Sequence, residues 1–411
     1  MTPLELLSLA SRYADLPGTC LFYSGGTFDS AQKSFLCLFP KKKVVASNED
    51  PWNLPLTFSG KPYPEWTGYF SYEMGAFSDY DVTIPHQIGT LPYAVFYQPS
   101  VVVEVDHRTG AVKVHGDESF SISDLDQELP CRKSPSLHCI QKGEEKRQYL
   151  DKVLAAQDLI RQGEIYQVNL SQEFIYSGQS DPFQLFATVA RTNPAPFMAY
   201  LRLDEHAVIS SSPERFLQKR GDMLESRPIK GTAKRGKTPE QDRKNIKALL
   251  SSPKEKAELL MITDLIRNDL GRVSLPGSVN TEKVWHLESY TNVHHMLSLV
   301  RSLCHPEWSP LEIVRACFPG GSITGCPKLR AMEVINQLEQ RPRGIYTGAI
   351  GYFNGLGDFD FNIAIRTMLW NNEGISVQLG GAVVSDSIPE CEYEETLDKG
   401  ESLFHSLLTH C

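Results

Sequence analysis

Long apolar runs are missing from this chain of 411 residues. None approaches the ~20 residues that a membrane-spanning helix needs, so no membrane is expected. Positive charge is scarce too: 41 Lys and Arg stand against 50 Asp and Glu, a formal charge of -9. That argues against nucleic acid as a partner, because phosphate binding needs a basic surface. The nine cysteines are odd in number and scattered, with no C-x-x-C pair and no Cys/His cluster at zinc spacing. Reduced thiols in a cytoplasmic protein are the simplest reading. The first residues, MTPLELLSLASRYADLPG, hold Glu5 and no cationic segment before a short apolar run, so no secretory signal is expected. Repeats and low-complexity tracts are absent as well.

What remains is an ordinary globular composition, 41% hydrophobic and 22% charged. The first ~120 residues read mostly as strands. SVVVEVDHRTGAVKVHG (100–116) has the pattern of a hairpin turning at Arg108, Thr109 and Gly110. A polar stretch with two prolines follows, and 126–146 reads as a linker. Beyond it Leu150, Val153 and Leu154 fall on one helical face. Residues 344–384 read as a meander with turns at Asn354-Gly355 and NNEG, in which Arg366 points away from the Phe359, Phe361, Ile363 and Ile365 face. A last helix is expected from about Glu390 to Leu408.

Two helices carry paired carboxylates. In KEKAELLMITDLIRNDLG (254–271), Leu259, Ile262, Ile266 and Leu270 mark the inner face, and Glu255 and Glu258 lie at its edge. In ECEYEETLDKG (390–400), Glu392 and Glu395 repeat the spacing, with Lys399 one turn further on. Alone, each pair reads as a solvated helix face. Facing each other, the four would suit a hard divalent ion such as Mg²⁺.

The ordered series GEIYQVNLSQ (163–172), SSSPERF (210–216), RPIKGTAKRG (227–236), ITDLIRNDLGRV (262–273), YTNVHHMLSLV (290–300), CFPGGSITGCPKLRAMEVI (317–335), GIYTGAIGY (344–352), FNIAIRTM (361–368) and LGGAVVSDS (379–387) resembles the chorismate-utilising enzymes. These are the large subunits of anthranilate and aminodeoxychorismate synthases, with isochorismate and salicylate synthases. The first ~120 residues match more loosely, through GYFSYEMG (68–75). The resemblance implies an α/β (α+β) fold of packed β-sheets flanked by helices. It divides the chain into a β-rich N-terminal region (1–125), the linker, and a chorismate-binding catalytic domain (147–411).

The resemblance also implies roles. Mg²⁺ would join the ring carboxylate of chorismate to Glu258 and Glu395, with Glu255 and Glu392 beside them. Tyr346, Arg366 and the backbone at Gly380 and Gly381 would hold the enolpyruvyl carboxylate, for which a planar guanidinium is apt. Gly231, Thr232 and Lys399 would lie near the ring carboxylate, with Ser322 where anthranilate synthases tend to carry threonine. Glu214 would be the general acid at the C4 hydroxyl, and His295 a ring-facing histidine. Ala382 stands where the family usually has a third glycine, so a methyl group is expected to crowd the carboxylate contact or shift its loop.

Two positions separate the family's activities. Isochorismate and salicylate synthases carry a water-activating lysine where this chain has Gln167, which cannot act as a base. Anthranilate synthases generally have alanine at the position of Lys230, whereas aminodeoxychorismate synthases have lysine. Lys230 as a nucleophile at ring C2 splits one hard displacement into two easier ones. It must be neutral to attack, so burial or a neighbouring cation has to depress its pKa; Arg227, Lys234 and Arg235 are close in sequence. The expected activity is therefore amination of chorismate at C4 to 4-amino-4-deoxychorismate, in the folate and 4-aminobenzoate route. The alternatives are an anthranilate synthase component and a non-enzymatic chorismate- or tryptophan-binding regulator. No cysteine sits in a nucleophile elbow, so ammonia is expected from a separate glutamine amidotransferase. No pyridoxal phosphate lyase segment is evident either.

LFYSGG (21–26) and TNPAPFMAYL (192–201) resemble the segments that build a tryptophan pocket in the family. Ser24, Asn193, Pro194, Ala195, Pro196 and Phe197 would line it. A Pro-rich turn packed on the first region is the equal alternative.

Overall fold

Strand alternation and short amphipathic helices assemble here into a mixed α/β architecture. The computed structural model describes residues 1–26, 28–79, 81–122, 136–290 and 293–408. Nineteen strands among them belong to one hydrogen-bonded network, with helices on its outer faces. The expected hairpin is present, Ala94–Asp106 pairing with Val112–Gly116. The N-terminal strands are tied into the later ones at two places. Cys20–Tyr23 pairs antiparallel with Phe197–Arg202, and Pro64–Phe70 with Ala349–Asn354. Of the stretch expected as a linker, 126–135 lies outside the described residues. Ser136–Lys142 is a strand on Gln167–Gln179.

Two helices matter most for the site. Ser252 caps Pro253–Gly271 by accepting from the Glu255 backbone N–H, and Pro253 needs no partner at the first position. The inner stripe holds as read: Leu259, Ile262, Ile266 and Leu270 are buried. Each contributes about 1.5–3 kcal/mol by leaving water. That burial fixes the helix rotation, and with it where Glu255 and Glu258 emerge. The second glutamate helix is Pro389–Leu408. It runs beside Gly374–Val383, the glycine strand, which pairs along its whole length with Gln167–Gln179.

Two readings need correction. The helix Lys146–Arg161 buries Tyr149, Val153 and Ala156, while Leu154 is exposed, because the core lies half a face round from the predicted stripe. The expected meander is two hairpins. Phe359–Ile363 pairs with Ala349–Asn354, and Thr367–Asn371 with Gly374–Val383. Between them Arg366 adopts φ +50°, so it belongs to the break and not to a strand face.

Candidate active site

The glycine strand pairs with Thr367–Asn371 only over Gly374–Val377. From Gln378 onward its other edge has no strand partner among the described residues. Lys399 reaches this edge, its Nζ donating to the Gly380 carbonyl at 3.0 Å and lying 2.6 Å from Glu395 Oε1. A side chain at Gly381 would point at the second glutamate helix, with Glu392 Oε2 3.3 Å and Glu395 Oε1 3.6 Å from an added Cβ.

Lys230 comes to the cleft through a backbone irregularity. Its strand, Ile229–Lys234, pairs with Val293–Leu303 so that Lys230 opposes Met296 and Thr232 opposes His295. Gly231 is the extra residue, a bulge with φ +78°. The bulge places Lys230 and Thr232 on opposite faces, where a regular strand would put them together. An added Cβ at Gly231 would lie 3.0 Å from Glu255 Oε2, so the bulge touches the first glutamate pair.

The electrostatics follow from this geometry. Burial lowers the Lys230 pKa and Lys399 lowers it further, against the opposing pull of Glu258, Glu214 and Glu395. Two of the cations close in sequence are otherwise engaged: Arg227 pairs with Glu225 and Glu288, and Arg235 with Asp242. Glu214 is buried and its pKa is raised to about 7 by desolvation. That rise is opposed by a 2.7 Å hydrogen bond from Ser322 Oγ, by Lys230, by the Ile229 N–H and by Arg366. Near neutrality it therefore carries a proton it can give away. His295 is buried, and desolvation with nearby Arg366 lowers its pKa to about 3, so the ring is neutral. Its Nδ1 meets Thr232 Oγ1 at 2.9 Å, while Nε2 is buried without a partner.

The carboxylates crowd one another across the two helices. Burial raises the Glu255 pKa, and Glu258 and Glu395 raise it further. Glu392 is raised by burial and by Glu395, although Ser387 Oγ donates to its Oε1 at 2.6 Å; its Oε2 is buried and unpaired. For Glu395 burial also pushes upward, but Lys399, Lys230 and Lys254 outweigh it and the net shift is down. Among the described residues no three of these groups stand close enough together to form a ready-made metal cage.

On the far wall, Tyr346 is buried and its pKa is pushed up to about 12 by desolvation. Its hydroxyl would lie 2.7 Å from an added Cβ at Gly380. Arg366 is half-buried and has no ion-pair partner among the described residues. Burial lowers its pKa, with Tyr290 and Glu214 opposing. Gln167 is fully buried, and neither end of its amide has a partner. Asn169, two residues along the same strand, was not anticipated; its Oδ1 is also buried and unpaired, 2.9 Å from the same Gly380 position. Spacing from Gln167 was the signal available, since alternate strand residues share a face.

The two segments expected to form a second pocket do meet, the Gly25 N–H donating to the Ala195 carbonyl at 3.0 Å. Ser24 is buried and spends its hydroxyl on the Gly26 and Ala31 carbonyls; Asn193 is buried and Pro194 packs against Gly25. A cleft of about 410 Å³ is lined by Phe22, Pro196, Phe197 and Tyr352, and neither Lys230 nor any cleft glutamate reaches it.

Comparison with known proteins identifies the family. The chorismate binding enzyme family profile matches residues 20–405. An aminodeoxychorismate synthase component 1 of Escherichia coli (strain K12) is 34% identical over 433 aligned positions, covering 97% of this chain and 95% of that one. An anthranilate synthase component 1 of Aquifex aeolicus is 36% identical, covering 83% of this chain and 73% of its own. Among solved structures, anthranilate synthase component I from Streptococcus pneumoniae TIGR4 superposes with a TM-score of 0.78 at 28% identity, over 92% of this chain and 93% of that chain. The chain belongs to the chorismate-binding enzymes, alongside the component 1 subunits of aminodeoxychorismate synthase.

Proposed function

We propose that this enzyme aminates chorismate at ring C4, with Lys230 as a covalent nucleophile. The observation that carries the reading is a half-buried lysine whose pKa is lowered by burial and by Lys399, within electrostatic reach of Glu214, whose carboxyl is raised to about 7. Lys230 Nζ forms a bond to C2, the ring double bonds shift, and the C4–O bond breaks. Glu214 gives its proton to the departing hydroxyl, which leaves as water, and regains one from the lysine nitrogen. Ammonia then bonds to C4, the double bonds shift back and the C2–N bond breaks; one proton moves from the ammonia nitrogen to the departing lysine. Glu214 is buried enough to hold a proton at neutral pH, and Ser322 keeps its carboxyl aimed.

The residues present fit Mg²⁺. The donors are hard carboxylate oxygens, Glu392 Oε2 is buried and unsatisfied, and mutual repulsion raises Glu255 and Glu392. Glu258 and Glu395 would hold the ion, with Glu255 and Glu392 beside them. Bound there, Mg²⁺ would neutralise the ring carboxylate of the substrate. Arg366, Tyr346 and the free edge at Gly380 and Gly381 suit the second carboxylate. Ammonia would come from a separate glutamine amidotransferase.

The test is mass spectrometry of products from this chain, chorismate, Mg²⁺ and ammonium. An amine that keeps its enolpyruvyl group is expected, and Lys230→Ala should abolish it, at least about a thousandfold in rate, with chorismate affinity retained. Anthranilate with free pyruvate would give the enzyme the activity named for its Aquifex relative instead. Full activity in the alanine variant would remove the covalent step.

A further inference from the structure

Ammonia is neutral when it reacts, and none of the charged groups assigned so far is suited to hold it. Carboxylates stabilise ammonium, whose lone pair is already spent on a proton. Arg366 and Lys399 repel ammonium and offer ammonia no acceptor. A neutral acceptor is the right chemistry: an amide oxygen accepts from an N–H of ammonia, leaves the lone pair free and does not favour protonation.

The cleft contains such an oxygen without a partner. Asn169 is 7% exposed, and its Oδ1 is buried with no donor. An unsatisfied buried acceptor costs about 1–3 kcal/mol, which a ligand donating a hydrogen bond would recover. Three observations direct the side chain into the site. It stands in register with Ala382 across the glycine strand, so it shares that residue's face. Its Oδ1 and the Tyr346 hydroxyl lie 2.9 Å and 2.7 Å from one point, the Cβ position of Gly380. Gln167, buried and equally unpaired, lies two residues away on the same face. The backbone of Asn169 is meanwhile clamped. Its N–H donates to the Thr324 carbonyl at 2.8 Å, and its carbonyl accepts from Arg343 Nη2 at 2.7 Å. The side chain is thus free on a fixed base.

We propose that Asn169 is a positioning residue for ammonia, its amide oxygen holding the nucleophile in the cleft beside Gln167. This rests on the amination reading. The experiment measures kcat and KM for ammonium, together with the dissociation constant for chorismate, in wild type and Asn169→Val. The expected result is a rise of about tenfold in ammonium KM, the loss of one hydrogen bond, with chorismate affinity within twofold. Asn169→Asp keeps an acceptor. It should return ammonium KM to within threefold of wild type, while kcat falls because a carboxylate favours the protonated form. Should Asn169→Val fail to fold, Asn169→Ser, too short to reach, gives the same test.

An unmoved ammonium KM would overturn the inference while leaving the amination reading standing. So would chorismate affinity that weakens in step with ammonium KM, which would make Asn169 a ligand of the substrate. A wild type that forms no ammonium-dependent product would remove both.

Discussion

Arg343 is buried and Lys230 half-buried, and the surroundings of these two basic groups treat them in opposite ways. Arg343 is saturated: it meets Glu339 at 2.8 and 3.0 Å and donates to the Ile323 and Asn169 carbonyls. Glu339 in turn accepts from the backbone and side chain of Ser171. Lys230 has no such shell among the described residues, and elsewhere Gln167, Asn169, His295 and Glu392 each keep a buried polar atom unpaired. The first cluster braces the strand that bears Gln167 and Asn169 against the loop that bears Tyr346. The second is left incomplete for a ligand to finish. A polar group inside a protein stabilises when its partners are built in; when they are withheld, the fold carries a cost that binding can recover.

The largest way to break this contrast is Arg343→Met, which strands Glu339 as a buried charge. A loss of about 3–5 kcal/mol is expected in urea unfolding. A loss below 1 kcal/mol would mean the brace is not one.

Glu214→Gln should act with the opposite sign. The carboxyl is raised from 4.5 to about 7, so over that window the folded state binds more protons than the unfolded one. Stability therefore falls as pH rises from 4.5 to 7, by roughly 3 kcal/mol at 1.36 kcal/mol per unit. Glutamine removes the titration. The variant should be more stable than wild type at pH 8 by an amount of that order, with the difference vanishing toward pH 4.5, and it should lose turnover by about 10²–10⁴. Equal pH–stability curves would place the proton elsewhere.

Gly231→Ala comes next. A methyl group there meets Leu249 Cδ1 at 2.9 Å and Glu255 Oε2 at 3.0 Å, in a left-handed conformation that favours glycine. About 1–2 kcal/mol of stability should go, and activity should fall further than stability, because the bulge sets the face on which Lys230 stands. Activity that merely tracks the folded fraction would count against that role.

Much of this was legible beforehand, for particular reasons. The stripe Leu259, Ile262, Ile266 and Leu270 is a local period, and burial obeys it; the glutamates then follow from the helix. The bulge at Gly231 was not legible, because it is a register between strands some 60 residues apart, and nothing near Gly231 encodes the pairing of Lys230 with Met296 and of Thr232 with His295. Arg366 was put on a strand face because its alternation is perfect, yet a positive φ ends the strand before it. Lys399 as the cation that depresses Lys230 lay beyond reach for the same reason, 169 positions away, while nearer arginines are committed to other carboxylates.

The smallest effect is expected at Ala382, the residue whose methyl group was expected to crowd the substrate. A strand's Cβ leaves perpendicular to its hydrogen-bonding edge. Ala382 opposes Asn169, so its methyl projects along that face. The edge beyond Gln378 lies in the plane of the sheet, so a carboxylate held by that edge would approach across the methyl group's direction and not along it. Ala382→Gly should therefore leave chorismate KM within threefold. It should cost about 0.5–1 kcal/mol of stability, the usual price of a glycine in a strand. A tenfold fall in chorismate KM would show that the methyl group stands in the carboxylate's way, and the edge would cease to be the place where the open cluster receives its ligand.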